Sequence, residues 1–218
     1  MKTLFKAIAV ASLATATAAQ AELSASVAVD SEYVFRGITL DDSATTSATL
    51  EYAISGLTVG AWIADDEAGE TDLYVSYGLN VGGVDLGISY TDYSYHDSTG
   101  GQEEIAVSAS AGGVGFNYVD GEDTALVEGF DLDFSVITLD YTFGNVNVLL
   151  GQYDLDDTNV DYTFFEISGS LGQIAGLDAT LTITGTFDES ADAEAVADFF
   201  AIDSQDSIVI GLSKAFDL

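Results

Sequence analysis

The chain has 218 residues, of which 37 are Asp or Glu and only four are Lys or Arg, so its formal net charge is −33. A charge this negative argues against a nucleic-acid partner, because phosphate binding needs a basic surface. With no Cys and one His, the chain has no disulfide, no thiol nucleophile and no Cys-based or His-cluster metal site. A hydrophobic content of 48% argues against disorder.

Residues 1–21 are predicted to be a secretory signal peptide. Lysines at the start are followed by the apolar, small-residue stretch Ala7–Ala19, and Ala19-Gln20-Ala21 matches an A-x-A cleavage site. A membrane anchor is the alternative, but the apolar stretch is shorter than the ~17–20 residues that a spanning helix needs. We therefore expect cleavage after Ala21, and export by a bacterium of a single mature domain, residues 22–218.

From residue 23 onward, apolar residues alternate with small polar ones, which is the pattern of β-strands with one apolar face. In residues 177–187, for example, Leu and Ile fall on one face and Thr on the other. A change of phase around Phe164 and Phe165 predicts a β-bulge. The twelve predicted strands are 23–37, 44–54, 57–64, 71–80, 84–95, 102–111, 113–119, 130–143, 145–153, 159–171, 177–187 and 206–218.

The first predicted strand, 23–37, carries the candidate interior site. Alternation places Tyr33 and Phe35 on its apolar face, which would face lipid if the sheet is a membrane barrel. Two interpretations stay open for the only Arg of the chain: a structural ion pair with Glu32 or another interior acid, or a constriction element that shapes selectivity. The predicted lumen or constriction residues, on the opposite face, are Asp30, Glu32 and Arg36.

The predicted connections alternate between short and long. The short ones contain Gly, carry no acidic residue and suit tight hairpins, whereas the long ones hold most of the acidic residues. One rim is therefore expected to be an anionic mouth, with a short helix over residues 191–202 in the last loop. The predicted mouth residues are Asp65, Asp66, Glu67, Asp120, Glu122, Asp123, Asp154, Asp156, Asp157, Asp188, Glu189 and Asp192.

These acidic clusters have two interpretations. A run of charge usually forms a solvated surface, and the alternative is loose binding of divalent cations, which would bridge the loops to an anionic membrane surface. None of the clusters matches the EF-hand pattern, so no specific metal site is predicted.

Alternating amphipathic strands suit either a soluble sandwich or lipocalin-like barrel, or an outer-membrane barrel. The membrane barrel is favoured by the alternation of short and long connections, the even strand count, the hydroxyl-rich polar faces and the apolar stripe of the last strand. We therefore predict an all-β fold, a single transmembrane antiparallel up-and-down barrel of about 12 strands with short periplasmic turns and long acidic extracellular loops. Aromatic residues near strand ends suit membrane girdles, and these are Tyr33, Phe35, Tyr90, Tyr93, Tyr95, Tyr141, Phe143, Tyr153 and Phe187.

Three stretches share their residue order with a known family. They are Ser31–Ile38, which contains Tyr-Val-Phe-Arg-Gly, then Gly56–Trp62, and then Asp72–Gly78. In this order they resemble the opening strands of the TorF family of bacterial outer-membrane porins, most clearly over residues 22–95. The resemblance implies a small outer-membrane barrel, and it implies the location more firmly than the activity. The chain departs from many such barrels by ending in Phe216-Asp217-Leu218 rather than in Phe or Trp.

The predicted function is passive diffusion of small hydrophilic solutes across a bacterial outer membrane, with a preference for cations, which an anionic mouth concentrates. The expected partners are membrane lipid and small solutes or ions, with no cofactor and no nucleic acid. The alternative is a closed structural or surface-binding barrel whose acidic loops hold divalent cations or a partner. An enzyme is disfavoured, because His96 lies in a predicted loop and no Gly-x-Ser-x-Gly motif accompanies it.

Overall fold

The computed structural model describes residues 21–66, 69–96, 100–124, 131–156, 160–187 and 206–218. Within these ranges no helix is long and apolar enough to cross a membrane. The predicted signal peptide lies almost wholly outside the described residues and stays a prediction. The strands, in chain order, are β1 (Glu22–Asp30), β2 (Tyr33–Phe35), β3 (Ile38–Asp41), β4 (Thr45–Ile54), β5 (Leu57–Ala64), β6 (Glu70–Val81), β7 (Val84–Tyr95), β8 (Gly101–Ala111), β9 (Val114–Asp123), β10 (Leu132–Phe143), β11 (Val146–Leu155), β12 (Val160–Ile174), β13 (Leu177–Thr186) and β14 (Ser207–Asp217).

Twelve of these strands form a closed antiparallel barrel. From β4 to β14 each strand pairs with the next one along the chain, and β1 closes the ring by pairing with both β4 and β14. The predicted all-β barrel of about 12 strands is confirmed. Because antiparallel neighbours reverse direction, the short turns gather at one end of the barrel and the long connections at the other.

The outer face of the barrel is apolar. Along each strand, large apolar side chains are exposed and alternate with residues that face the interior, as the period of two predicts. Leu73, for example, is 58% exposed, whereas its neighbours Asp72 and Tyr74 are partly buried. Since apolar surface of this extent is unfavourable in water, the outer wall is suited to lipid.

The first predicted strand is wrong beyond residue 30. β1 ends at Asp30 and pairs directly with β4, while β2 and β3 pair only with each other and form a separate hairpin. We call Tyr33–Asp41 the first hairpin. The alternation of apolar and polar residues continues through residue 35, so the sequence pattern does not show that the chain leaves the barrel sheet here.

The predicted bulge at Phe164 and Phe165 is also wrong. β12 pairs with β11 and β13 without interruption at these residues, and its register shifts instead between Ser170 and Gly172. The change of phase arises because both faces of β12 are apolar there. Phe164 points inward and is 4% exposed, and it packs in an interior apolar cluster rather than facing water.

Three interior aromatic rings lie flat over glycines on the neighbouring strand. Tyr74 covers Gly60, Phe134 covers Gly121 and Phe164 covers Gly151, and each aromatic residue is directly paired with its glycine. A Cβ at any of these glycines would overlap the ring. Glycine therefore lets a large ring lie against the barrel wall instead of projecting into the interior.

We expect Gly151→Ala to destabilise the barrel by about 1–3 kcal/mol, because the new methyl group forces the Phe164 ring out of its position. Urea unfolding in detergent, followed by tryptophan fluorescence and by the gel-mobility shift of folded barrels, measures this. Gly169→Ala is the matched control, since a Cβ there meets its nearest atom, the carbonyl oxygen of Asn145, at 3.4 Å. Equal unfolding free energies for the two variants would contradict the packing argument.

Candidate functional site

The candidate site is built on the turn of the first hairpin, Arg36-Gly37. These two residues join the paired Phe35 and Ile38, and both have positive φ, 52° and 80°, as a two-residue hairpin turn of type I′ requires. Gly adopts this conformation freely, but a residue with a side chain pays roughly 1–2 kcal/mol for it. Arg therefore destabilises the turn relative to Gly, which indicates that its guanidinium makes contacts outside the turn that offset this cost.

The first hairpin lies across the interior of the barrel, because its residues contact strands on opposite sides. The hydroxyl of Tyr33 donates a hydrogen bond to Oε2 of Glu70 on β6 at 2.8 Å. Gly37 lies so close to β12 that a Cβ would come within 2.6 Å of the Cβ of Phe164. β6 and β12 are six positions apart in the ring of twelve strands, so they face each other across the lumen.

The wall residues that hold the hairpin all lie near the end of the barrel that carries the long connections. Glu70 and Ser207 are the first residues of β6 and β14, and the hydroxyl of Ser207 shares a 2.8 Å hydrogen bond with that of Thr39. The first hairpin therefore narrows the lumen near this end. Nearer the short turns the interior-facing side chains are partly exposed, among them Ser26, Ser76, Ser108, Asn117 and Ser168.

A buried ion pair joins the hairpin to the wall. Nη2 of Arg36 donates a hydrogen bond to Oε1 of Glu104 on β8 at 2.7 Å, and the two side chains are only 10% and 7% exposed. The Glu104 carboxylate also accepts hydrogen bonds from the amide of Gln102 and from the hydroxyl of Tyr93, the latter at 3.2 Å. Charged groups this deeply buried are stable only when paired, so the pair fixes the position of the turn.

The protonation states of the hairpin residues follow from their surroundings. Burial by itself lowers the pKa of the Arg36 guanidinium, but the Glu104 carboxylate, together with the nearby hydroxyls of Tyr93 and Tyr162, outweighs this, and the net pKa is raised. Burial, followed by the charge of Glu70, raises the pKa of the Tyr33 hydroxyl well above its ordinary value. Arg36 therefore stays charged and Tyr33 stays a neutral hydrogen-bond donor at physiological pH.

An apolar, aromatic wall lies on the β10–β12 side of the hairpin. Phe134 stacks on Tyr153 and Tyr153 stacks on Tyr162, each with ring centroids 5.2 Å apart, and Phe164 follows at 6.1 Å. All four rings are at most 6% exposed, and Ile38 of the hairpin belongs to the same cluster. The hairpin thus packs its apolar side on β10–β12 and directs the polar groups of Tyr33 and Arg36 toward β6–β8.

The interior of the barrel is lined with many carboxyl groups. On each described strand, the residues between the exposed apolar side chains face the interior, which identifies the inward-facing ionisable groups. Among the described residues, Arg36 is the one cation in the interior with these carboxylates. Lys214 lies on the outer face, where it donates to the carbonyl of Gly176. The inward-facing carboxylates on the barrel strands that are buried or partly buried are Asp30, Glu51, Glu70, Asp72, Asp85, Glu104, Asp123, Asp140 and Glu166.

The predicted lumen residues occupy different environments. Asp30 faces inward at the end of β1 and is 7% exposed, and Glu32 lies in the bend before β2, partly exposed. Arg36 pairs with Glu104 on the barrel wall. The alternation of Glu104 with the outward-facing Ile105 indicates its inward direction, but its partner Arg36 is 68 residues away in the chain, and no local pattern predicts that pairing.

Several aromatic residues do not lie where the sequence placed them. Tyr33 was predicted to face lipid, yet it is 5% exposed and bonds Glu70 inside the barrel, while Phe35 packs edge-on against Tyr93 with ring centroids 6.2 Å apart. Tyr153, predicted in a girdle, is in the aromatic wall. The outward-facing aromatic residues include Tyr141, Phe143 and Phe187 near strand ends and Tyr90 in the middle of β7.

Among the acidic residues predicted for the mouth, those that the structure describes lie near the long connections, but several are on the outer wall of the barrel. Asp123 faces inward and is 5% exposed. Asp65 and Asp66 follow β5, where their carboxylates accept hydrogen bonds from the backbone amides of Thr46 and Glu70. Exposed on or beside the outer wall are Asp120, Glu122, Asp154 and Asp156. Outside the described residues lie Glu67, Asp157, Asp188, Glu189, Asp192 and the predicted helix 191–202.

Like charges face one another on this outer wall. Glu103 on β8 is directly opposite both Asp92 on β7 and Glu122 on β9, and Glu122 is opposite Asp133 on β10. Directly opposed carboxylates destabilise a sheet.

In the part of the chain that the structure describes, no group of three or more His, Asp or Glu residues is placed to hold a metal ion. His96 is exposed just after β7.

Comparison with known proteins identifies the fold. The KdgM porin superposes with a TM-score of 0.55 at 8% sequence identity, over 89% of this chain and 99% of that chain. A chain from a study of the in-meso crystallization of membrane proteins gives a TM-score of 0.57 at 8% identity, over 90% of this chain and 84% of that one. No protein-family model and no curated protein matches the sequence, so the resemblance to the TorF family stays a prediction.

Proposed function

We propose that this protein is a bacterial outer-membrane porin, akin to the TorF family, through which small hydrophilic solutes diffuse passively with a preference for cations. The apolar outer wall and the barrel shared with the KdgM porin support the location. The observation that carries the proposal is the interior, where nine buried or partly buried carboxylates of the described barrel strands accompany a single guanidinium. A narrow lumen lined by one sign of charge concentrates counter-ions and repels co-ions.

The test is the conductance of the purified protein in a planar bilayer under a KCl gradient. We expect stepwise currents whose reversal potential favours potassium, because the lumen carries a net negative charge. The double variant Glu51→Gln with Asp140→Asn, which neutralises two interior carboxylates, should move the reversal potential toward zero. Asp120→Asn with Glu122→Gln removes the same charge from the outer wall and should move it less. A wild-type preference for chloride would contradict the proposal.

A second candidate is a closed barrel with a structural or surface-binding role. It is favoured by the tight packing of the first hairpin, where the aromatic wall and Ile38 exclude water. Its acidic outer rim, with the opposed Glu103 and Glu122, would then hold divalent cations or a partner. A folded, inserted protein without conductance, whose loops calcium protects from proteolysis, would favour this candidate over the porin.

A further inference from the structure

Arg36 occupies a site that is built for a cation, yet it satisfies that site incompletely. Its Nη2 is paired with Glu104, and its guanidinium carbon lies 4.5 Å and 5.6 Å from the ring centroids of Phe35 and Phe134, which are cation–π distances. Within the described residues, however, its Nη1 is buried without a hydrogen-bond partner, and so is Oδ1 of Asp72. A guanidinium binds a carboxylate best through two parallel hydrogen bonds, so the one held here leaves part of its hydrogen-bonding capacity unused.

The backbone of Arg36 shows that this occupancy is imposed by the chain. With φ at 52°, the residue adopts a conformation that L-residues other than Gly disfavour. A free guanidinium would carry no such strain and could orient both of its donor edges. Interior residues nearer the short turns, such as Ser108 on the same strand as Glu104, are partly exposed, so that end is the side from which we expect a small solute to approach.

We propose that the Glu104 carboxylate and the Phe134 ring form a binding site for small organic cations of the guanidinium class, and that Arg36 fills this site as a tethered occupant. The inference rests on the proposed porin function, since it places the site on the solute path. A cation of this class competes with Arg36 for Glu104 and binds tightly only when the turn releases its side chain. The site thereby selects planar N–H donors over spherical cations.

The test uses Arg36→Gly, which empties the site and leaves a Gly-Gly turn that both positive φ values suit. Potassium current through single channels is recorded with increasing guanidinium chloride at millimolar concentrations. Removing a tethered competitor should lower the guanidinium concentration that half-blocks the current by about tenfold or more relative to the wild type. Tetramethylammonium, a cation without N–H donors, should block the variant no better than the wild type.

Two further variants make the outcome specific. Lys214→Gln removes the basic residue on the outer face and should leave guanidinium block at its wild-type value. The double variant Arg36→Gly with Glu104→Gln lacks the carboxylate and should lose the sensitivity that Arg36→Gly gained. Equal block of the wild type and Arg36→Gly, or block that persists in the double variant, overturns the proposal.

A second readout separates this proposal from the porin function. Folded Arg36→Gly barrels should be cleaved by chymotrypsin after Phe35, because no ion pair with Glu104 then holds the turn, and guanidinium that fills the emptied site should restore resistance, whether or not the barrel conducts. Absence of current in all variants would refute the porin function alone, and the site would then be judged by protection. The proposed site is wrong if guanidinium does not slow the cleavage of Arg36→Gly and if the double variant is cleaved at the same rate as Arg36→Gly.

Discussion

Replacing residues 32–43 by a four-residue Gly-Ser turn should raise the single-channel conductance several-fold. β2 and β3 pair only with each other, and β1 already pairs with β4 from Asp30 opposite Thr45, so the barrel loses no hydrogen bond of its own. The replacement removes the segment that crosses the lumen from Glu70 to Phe164. Planar-bilayer recording measures the conductance, and the gel-mobility shift of the unheated protein checks that the barrel is folded.

The converse variant locks the first hairpin to the wall. The hydroxyl oxygens of Thr39 and Ser207 are 2.8 Å apart, so cysteines at both positions lie within reach of a disulfide, and the chain has no other Cys. The oxidised double variant should conduct no more than the wild type, and reduction should leave its conductance unchanged or raise it.

A hairpin-replaced barrel that is folded and conducts like the wild type would show that the hairpin is not the constriction.

Glu104→Gln should release the first hairpin, whereas Glu103→Gln should not. Removing the charge of Glu104 leaves a buried guanidinium without its counter-charge, at a cost of about 3–5 kcal/mol. Release of the hairpin lets Arg36 reach water and avoids this cost while the barrel stays intact. Glu103 is the matched control because it is the adjacent residue on the same strand, is exposed on the outer wall and changes the net charge equally.

Trypsin provides the readout for this pair of variants. Arg36 is the only Arg of the chain and the only trypsin site inside the hairpin. Wild-type and Glu103→Gln barrels should resist cleavage there, while Glu104→Gln should be cut at least tenfold faster, following the ~1.4 kcal/mol that corresponds to each factor of ten. Equal cleavage of both variants would mean that the ion pair does not hold the hairpin.

The barrel can be predicted from the sequence alone. The predicted segments alternate with a period of two, apart from the change of phase in 159–171. Gly-bearing turns such as Ser55-Gly56 alternate with long acidic connections. Both patterns are local, because each strand and turn carries its own part of them. Closure of the sheet and the outward direction of residues such as Leu73 and Ile88 then follow, because every backbone group of an amphipathic sheet must find a partner.

What fills the lumen cannot be predicted from the sequence pattern and is seen only in the folded barrel. Residues 33–35 continue the alternation of β1, so the pattern predicts a longer strand, yet the chain turns inward and Tyr33 reaches Glu70. The inward-facing carboxylate of Glu104 could be inferred from alternation, but its pairing with Arg36 joins residues 68 positions apart. Alternation states which face a side chain takes, whereas the partner across a closed barrel depends on strand order and register, which arise only when the ring is complete.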